Sequence, residues 1–111
     1  MSEVTALENQ LEGIKELTER RERALRLSNN ADFKKLILDE FCTAECARYA
    51  QASADPALKE NERADALAMA QAAGHLRRFL SVTVQMGHQA ESQMVDLENA
   101  LAEARAEEDA E

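Results

Sequence analysis

The second half of the chain carries small and apolar residues at alternating spacings of four and three. This spacing averages about 3.5 residues, so it keeps one side of a helix facing a partner helix over the whole length of the segment. The positions of this seam are Met69, Ala73, Leu76, Leu80, Thr83, Gly87, Ala90, Met94, Leu97, Leu101 and Ala104. The pattern predicts one long helix that ends near residue 106 and packs along a partner helix.

Composition favours a single all-α domain. The 111 residues include 3 Gly, 1 Pro and no Trp, and 4% are aromatic, so the turn residues and large side chains typical of sheets are scarce. Abundant Ala, Leu, Glu, Arg and Gln favour helix. Val82, Val84 and Met86 alternate as in a strand. The seam runs through them without interruption, however, and a lone strand has no partner, so we predict helix there as well.

The first half of the chain predicts two shorter helices. The first begins at Ser2, whose hydroxyl caps it, and ends near Ser28, where Asn29 and Asn30 favour a break or kink. The second covers about 32–52. Its predicted main apolar face consists of Phe33, Leu36, Ile37, Phe41, Ala44 and Ala47, and the apolar surface extends around the side through Leu38, Cys42, Cys46 and Tyr49.

A reversal at residues 53–56 predicts a long antiparallel helical hairpin, that is, a coiled coil with a kinked first arm. Pro56 fits the first turn of a helix behind an Asp55 cap, so the long helix begins at about 56, or at 60 after a short first turn. Facing residues then have numbers that add to about 111, and 107–111 form an acidic tail. This register sets Arg21 opposite Ala90 and near Gly87, where it crosses the seam toward water or Glu91.

The charge of the chain excludes some partners. A net charge of −9 argues against nonspecific binding to nucleic acid or to an anionic membrane. Glu91–Glu111 contains eight acids and one Arg, so it is interpreted as a solvated helix end, with an acidic docking tail or DNA mimic as the alternative. No apolar stretch is long enough to span a bilayer and no signal peptide is evident, so we expect a cytoplasmic protein.

No arrangement of residues predicts an enzyme, a cofactor site or a metal site. Cys42 and Cys46 lie one helical turn apart, as two ligands on a helix would, but the hairpin register places His75 and His88 too far away to complete four ligands. We therefore expect both cysteines to pack as small apolar residues in a reducing compartment. No pair of carboxylates lies in a predicted apolar pocket, so acid–base catalysis lacks candidate residues.

A second apolar stripe beside the seam predicts association. Phe79, Val82 and Met86 form this stripe, and one partner helix cannot cover both the stripe and the seam. We therefore expect a homo-oligomeric helical bundle, docking on a larger protein assembly, or both. Basic candidates for protein contacts are Arg21, Arg77 and Arg78. No aromatic residues lie among the arginines for stacking on bases, so direct nucleic-acid binding is not expected.

Three segments resemble small helical proteins encoded by tailed bacteriophages: Asp39-Glu40-Phe41-Cys42, Ser53-Ala54-Asp55-Pro56-Ala57-Leu58 and Ala72-Ala73-Gly74-His75-Leu76-Arg77-Arg78. The resemblance implies a virion, head-assembly or accessory role, and it carries over no functional residue. The sequence therefore predicts a non-enzymatic association protein of the cytoplasm or the virion. The alternative is a small acidic inhibitor that mimics DNA on a host protein. Such a mimic needs rows of exposed carboxylates, whereas this chain concentrates them near its C-terminal end.

Overall fold

The computed structural model of the protein describes residues 2–110, and these residues form helices without any strand. The elements are α1 (Glu3–Ser28), α2 (Ala31–Phe33), a π-helix π1 (Lys34–Glu45), α3 (Cys46–Ser53) and α4 (Glu60–Ala110). The predicted all-α class is confirmed, and residues 81–86, for which a strand was the competing interpretation, are helical as predicted. Residue 111, the last of the expected acidic tail, lies outside the described residues, while 107–110 belong to α4.

Polar side chains mark the ends of the helices where the sequence placed them. The Oγ of Ser2 accepts a hydrogen bond from the backbone N of Thr5 at 3.2 Å. The side chain of Asn30 accepts one from the backbone N of Phe33 at 3.0 Å, so Asn30 caps α2 after the break. Each bond satisfies a backbone N–H that has no partner within its own helix.

The reversal after α3 is longer than the predicted one. The Oδ1 of Asp55 accepts a hydrogen bond from the backbone N of Ala57 at 2.9 Å, and the carbonyl of Asp55 accepts another from the N of Leu58 at 3.2 Å. These bonds hold the segment as a turn. As a result α4 begins at Glu60, the later of the two expected starts, and it continues to Ala110, beyond the expected end near 106.

The chain divides into two compact units. The first consists of residues 1–24 and 82–111, and the second of residues 25–81. In the first unit α1 and α4 run antiparallel around a core of Val4, Leu101 and Ala104, against which Leu7 and Leu11 pack. An ion pair joins Glu8 to Arg105 at 3.0 Å, residue numbers that add to 113, so this unit follows the predicted hairpin register closely.

In the second unit π1 and α3 run antiparallel to the first part of α4. The Sγ of Cys42 lies 3.9 Å from the carbonyl oxygen of Ala73, and the Sγ of Cys46 lies 3.5 Å from that of Ala70. These residue numbers add to 115 and 116 because the reversal is centred after Asp55. The predicted seam position Met69 is therefore exposed and Ala66 is buried instead, while Ala73 is buried as predicted.

The predicted main apolar face of the second helix is only partly right. Phe33, Ile37 and Phe41 are half-buried, but Leu36, Ala44 and Ala47 are exposed, and Cys42, predicted at the side of this face, is the buried residue. The reason is that π1 has hydrogen bonds to the fifth residue along, so it holds more residues in each turn than an α-helix and side chains on one face recur less often. Phe33, Leu38, Cys42 and Cys46 are half-buried or buried at spacings of five, four and four, and Ile37 and Phe41 are half-buried as well.

Candidate protein-interaction site

Arg21 is buried between α1 and α4 in the first unit, at the seam position that the register predicted. Its Nη1 lies 2.6 Å from the Oε2 of Glu91 and 3.2 Å from the Nδ1 of His88, and it donates to the carbonyl oxygen of Gly87 at 3.4 Å. Its Nε donates to Glu22 at 3.0 Å. The hydrogen bond to Glu91 is the main cause that raises the pKa of Arg21, and burial opposes the shift. The guanidinium therefore stays charged and paired.

A glycine on the facing helix makes room for this arginine. Gly87 is buried against the aliphatic part of the Arg21 side chain. The Arg21 side chain is 9% exposed, while that of its partner Glu91 is 62% exposed. The charged end therefore reaches the surface through Glu91, and the stem packs within the unit. This position favours a role in setting the alignment of the two helices over a role as a free surface cation.

Arg77 also makes contacts within its own unit. Its Nη2 donates to the carbonyl oxygen of Leu38 at 3.2 Å and lies 2.9 Å from the Oγ1 of Thr43, both in π1. The Oγ1 of Thr43 in turn donates to the same Leu38 carbonyl at 2.9 Å. Arg77 thus connects α4 to a wide turn of π1, a contact that no local sequence signal indicated. Arg78, its predicted companion, is exposed.

The stripe of Phe79, Val82 and Met86 lies on α4, with Phe79 in the second unit and the other two residues in the first. Phe79 is 56% exposed and Met86 is 41% exposed, while Val82 is half-buried. The seam, by contrast, is buried at Ala73, Gly87, Ala90 and Ala104. Apart from Leu101 and Thr83, small residues therefore occupy the buried seam positions, and several large apolar side chains of α4 remain accessible.

The first unit contains a groove that the sequence did not indicate. It encloses about 710 Å³ and is lined by Gln10, Gly13, Ile14, Glu16, Leu17 and Arg20 of α1 and by Gln93, Asp96 and Leu97 of α4. Leu97 is a seam residue and is half-buried, and Ile14, which also lines the groove, is buried. A groove forms because two helices alone do not enclose the seam on both sides. The spacing of Gln10, Gly13 and Leu17 along α1 was the available signal.

The two units differ in charge. Residues 1–24 and 82–111 contain five Lys or Arg and 14 Asp or Glu, whereas residues 25–81 contain eight of each. The first unit therefore carries the whole net charge of −9, and the second is neutral. Opposite charge near a docking surface speeds association and selects partners.

Metal-binding side chains do not converge in the part of the chain that the structure describes. Within residues 2–110 no group of three or more His, Cys, Asp or Glu is placed to hold a metal ion. Cys42 and Cys46 form no disulfide with each other, and their thiols lie near backbone carbonyl oxygens of α4. None of the described helices is long and apolar enough to cross a membrane.

Comparison of the chain with protein-family models, with characterised proteins and with solved structures finds no match. Its function is therefore inferred from its own contacts, exposure and charge.

Proposed function

We propose that this chain is a non-enzymatic helical association protein, which self-assembles or docks on a larger protein complex. The observation that carries the proposal is the exposure of its large apolar side chains. Leu36 is 60% exposed, Phe79 is 56% exposed and Met86 is 41% exposed, and no large side chain is fully buried among the described residues.

The physical reason is the apolar area that remains in contact with water. Fully burying a Val, Leu or Phe side chain is worth about 1.5–3 kcal/mol, so a partner that covers a few of them gains substantial binding free energy. Alanines on the seam allow two helices to approach closely but remove little apolar area from water. Association therefore supplies the burial that packing within the chain leaves incomplete.

The proposed self-association surface on the first unit is centred on Val82 and Met86. These residues are four apart on α4, so their side chains lie on one face of the helix. Phe79 is the corresponding residue of the second unit. Such association fits the virion, head-assembly or accessory role that the resemblance to phage proteins implies.

The experiment compares the mass of the wild-type protein with that of Val82→Glu, by native mass spectrometry and sedimentation. We expect the substitution to lower the oligomer mass and to leave helicity largely unchanged, because it adds a charge to a surface that must lose water on association. Val95→Glu is the matched control, since it adds the same charge on the opposite side of α4. An unchanged mass for Val82→Glu, or a wild-type protein that stays monomeric and binds no partner, contradicts the proposal.

The acidic inhibitor remains the weaker alternative. Glu98, Glu103 and Glu107 are exposed on the last turns of α4. Asp96, Glu103 and Glu107 share one face at spacings of seven and four, but the acids of α4 are concentrated toward its C-terminal end and form no row along the whole helix. A DNA mimic needs such rows to replace successive phosphates, and for this reason we prefer association through apolar side chains.

A further inference from the structure

We infer that the groove of the first unit binds a cationic amphipathic helix of a partner protein. This inference rests on the association function proposed above and names the partner's chemistry. The evidence comes from the glycine in the groove, the open side of the helix pair, the continuity of the groove with Val82 and Met86, and the charge of the unit.

Gly13 widens the groove and has no packing role within the chain. A glycine in the interior of a helix costs about 0.8–1 kcal/mol relative to alanine. A Cβ on Gly13 would meet nothing within 4 Å, so the fold of the unit does not require a glycine there. Because Gly13 lines the groove, the missing side chain leaves space for the side chain or backbone of an incoming helix.

The other side of the same helix pair is less open. There a groove of about 290 Å³ is lined by Leu11, Leu101 and charged side chains, and the ion pair between Glu8 and Arg105 joins the two helices beside it. On the larger groove, Glu16, Arg20 and Asp96 take part in no ion pair with any of residues 2–110. Glu12 and Lys15 beside the smaller groove are likewise in no ion pair with these residues, so the two sides differ in volume and in the ion pair that joins the helices at the smaller groove.

The groove continues the apolar stripe along α4. Val82, Met86, Gln93 and Leu97 lie at spacings of four, seven and four, so they share one face of the helix. The 15 steps along the helix from Val82 to Leu97 span about 22 Å at 1.5 Å per residue. A partner helix of about four turns matches this length.

The charge of the unit selects a cationic helix. The first unit carries a net charge of −9. The groove itself has two carboxylates, Glu16 and Asp96, against one Arg20, beside an apolar floor formed by Ile14, Leu17 and Leu97. Lysines or arginines beside the apolar face of a partner helix would meet these carboxylates. A second copy of the unit brings the same −9, which opposes but does not prevent the self-association proposed through Val82 and Met86. Within the groove itself, where Glu16 and Asp96 lie, a cationic helix is the better electrostatic match.

The probe is a fluorescent peptide of about 18 residues, with leucines on one helical face and lysines flanking them, and its binding is followed by anisotropy. We expect Gly13→Leu to weaken binding at least about tenfold by filling the groove, as blocking a central contact does. Gly74→Leu is the matched control, because Gly74 lies in the second unit and a Cβ there also meets nothing within 4 Å. Circular dichroism checks that both variants stay helical.

Charge is tested separately. The double variant Glu16→Gln/Asp96→Asn should weaken binding and reduce its dependence on salt, because two carboxylates beside the groove are lost. A peptide of the same composition, rearranged so that its leucines share no face, should bind weakly. Equal binding of the rearranged peptide would show attraction to the acidic unit without use of the groove, and would overturn the inference.

Two further outcomes would also overturn the inference. One is that Gly13→Leu binds the peptide as tightly as the wild-type protein does. The other is that the wild-type protein is a dimer that does not bind the peptide, and that Gly13→Leu is a monomer. The latter would make a second copy the occupant. If Val82→Glu still lowers the oligomer mass, only this inference fails. If the wild-type protein stays monomeric and binds no peptide, the association function fails with it.

Discussion

A Cβ atom on Gly87 would lie 2.3 Å from the Cβ of Arg21, and 2.9 Å from both its Cγ and its Cδ. Real side chains do not approach so closely, so α1 and α4 pack here at a distance that glycine alone permits. The pair explains why a charged residue is tolerated in the seam. The stem of Arg21 lies against the bare backbone of Gly87, and its guanidinium continues past it to Glu91.

The first prediction concerns the three glycines. We expect Gly87→Ala to reduce the free energy of unfolding by about 1–3 kcal/mol, as overpacking of a tight contact does. Gly13→Ala and Gly74→Ala should instead raise it by up to about 1 kcal/mol, because both are helical and a Cβ meets nothing nearby. Urea unfolding of the three variants measures the difference. A Gly87→Ala protein as stable as Gly13→Ala would contradict the packing of α1 on α4 at this point.

The second prediction concerns the role of Arg21. Arg21→Leu should keep or raise the melting temperature, because an apolar seam residue replaces a charge that must lose water. The helix alignment or the oligomer state should become less uniform, since a polar seam residue fixes register. Native mass spectrometry and thermal unfolding give the two readouts. If the variant keeps one sharp species but loses a cellular partner, Arg21 acts as a binding residue.

The third prediction tests the hairpin register of the first unit. Leu11 packs against the core that contains Leu101. Cysteines at these two positions, in a Cys42→Ser/Cys46→Ser background, should therefore be joined within one chain by a short thiol crosslinker. Denaturing electrophoresis separates monomers crosslinked internally from crosslinked dimers. Crosslinking that occurs only between chains would replace the hairpin by an oligomer of extended helices.

The fourth prediction separates the two native thiols. Cys46 is half-buried and Cys42 is buried, so a thiol reagent should modify Cys46 first and reach Cys42 only when the second unit opens. Mass spectrometry of peptides after timed labelling measures both rates.

We also expect a chelator to leave thermal unfolding unchanged and untreated protein to contain substoichiometric zinc and iron. Stoichiometric metal, lost together with stability in Cys42→Ser/Cys46→Ser, would contradict packing cysteines.

Local signals determined much of the fold from the sequence alone. The Ser2 and Asn30 caps, the break before α2 and the long helix α4 each depend on residues a few positions apart, so the sequence is sufficient to predict them. The position of Arg21 near Gly87 and Glu91 also followed from the sequence. Two regular helices joined by one short reversal leave few possible registers, and the first unit follows the predicted one closely.

The tertiary structure alone decided the features that depend on contacts between distant residues. The side chains of Thr43 and Arg77 both donate hydrogen bonds to the carbonyl oxygen of Leu38. This segment forms a π-helix, and its wider turn changes which face of the second helix is buried. The groove at Gly13 likewise required the packing of α4 on α1, and the separation of a −9 unit from a neutral one required the division of the chain. Periodicity in a sequence cannot show these features, because they arise when two helices meet at a particular distance.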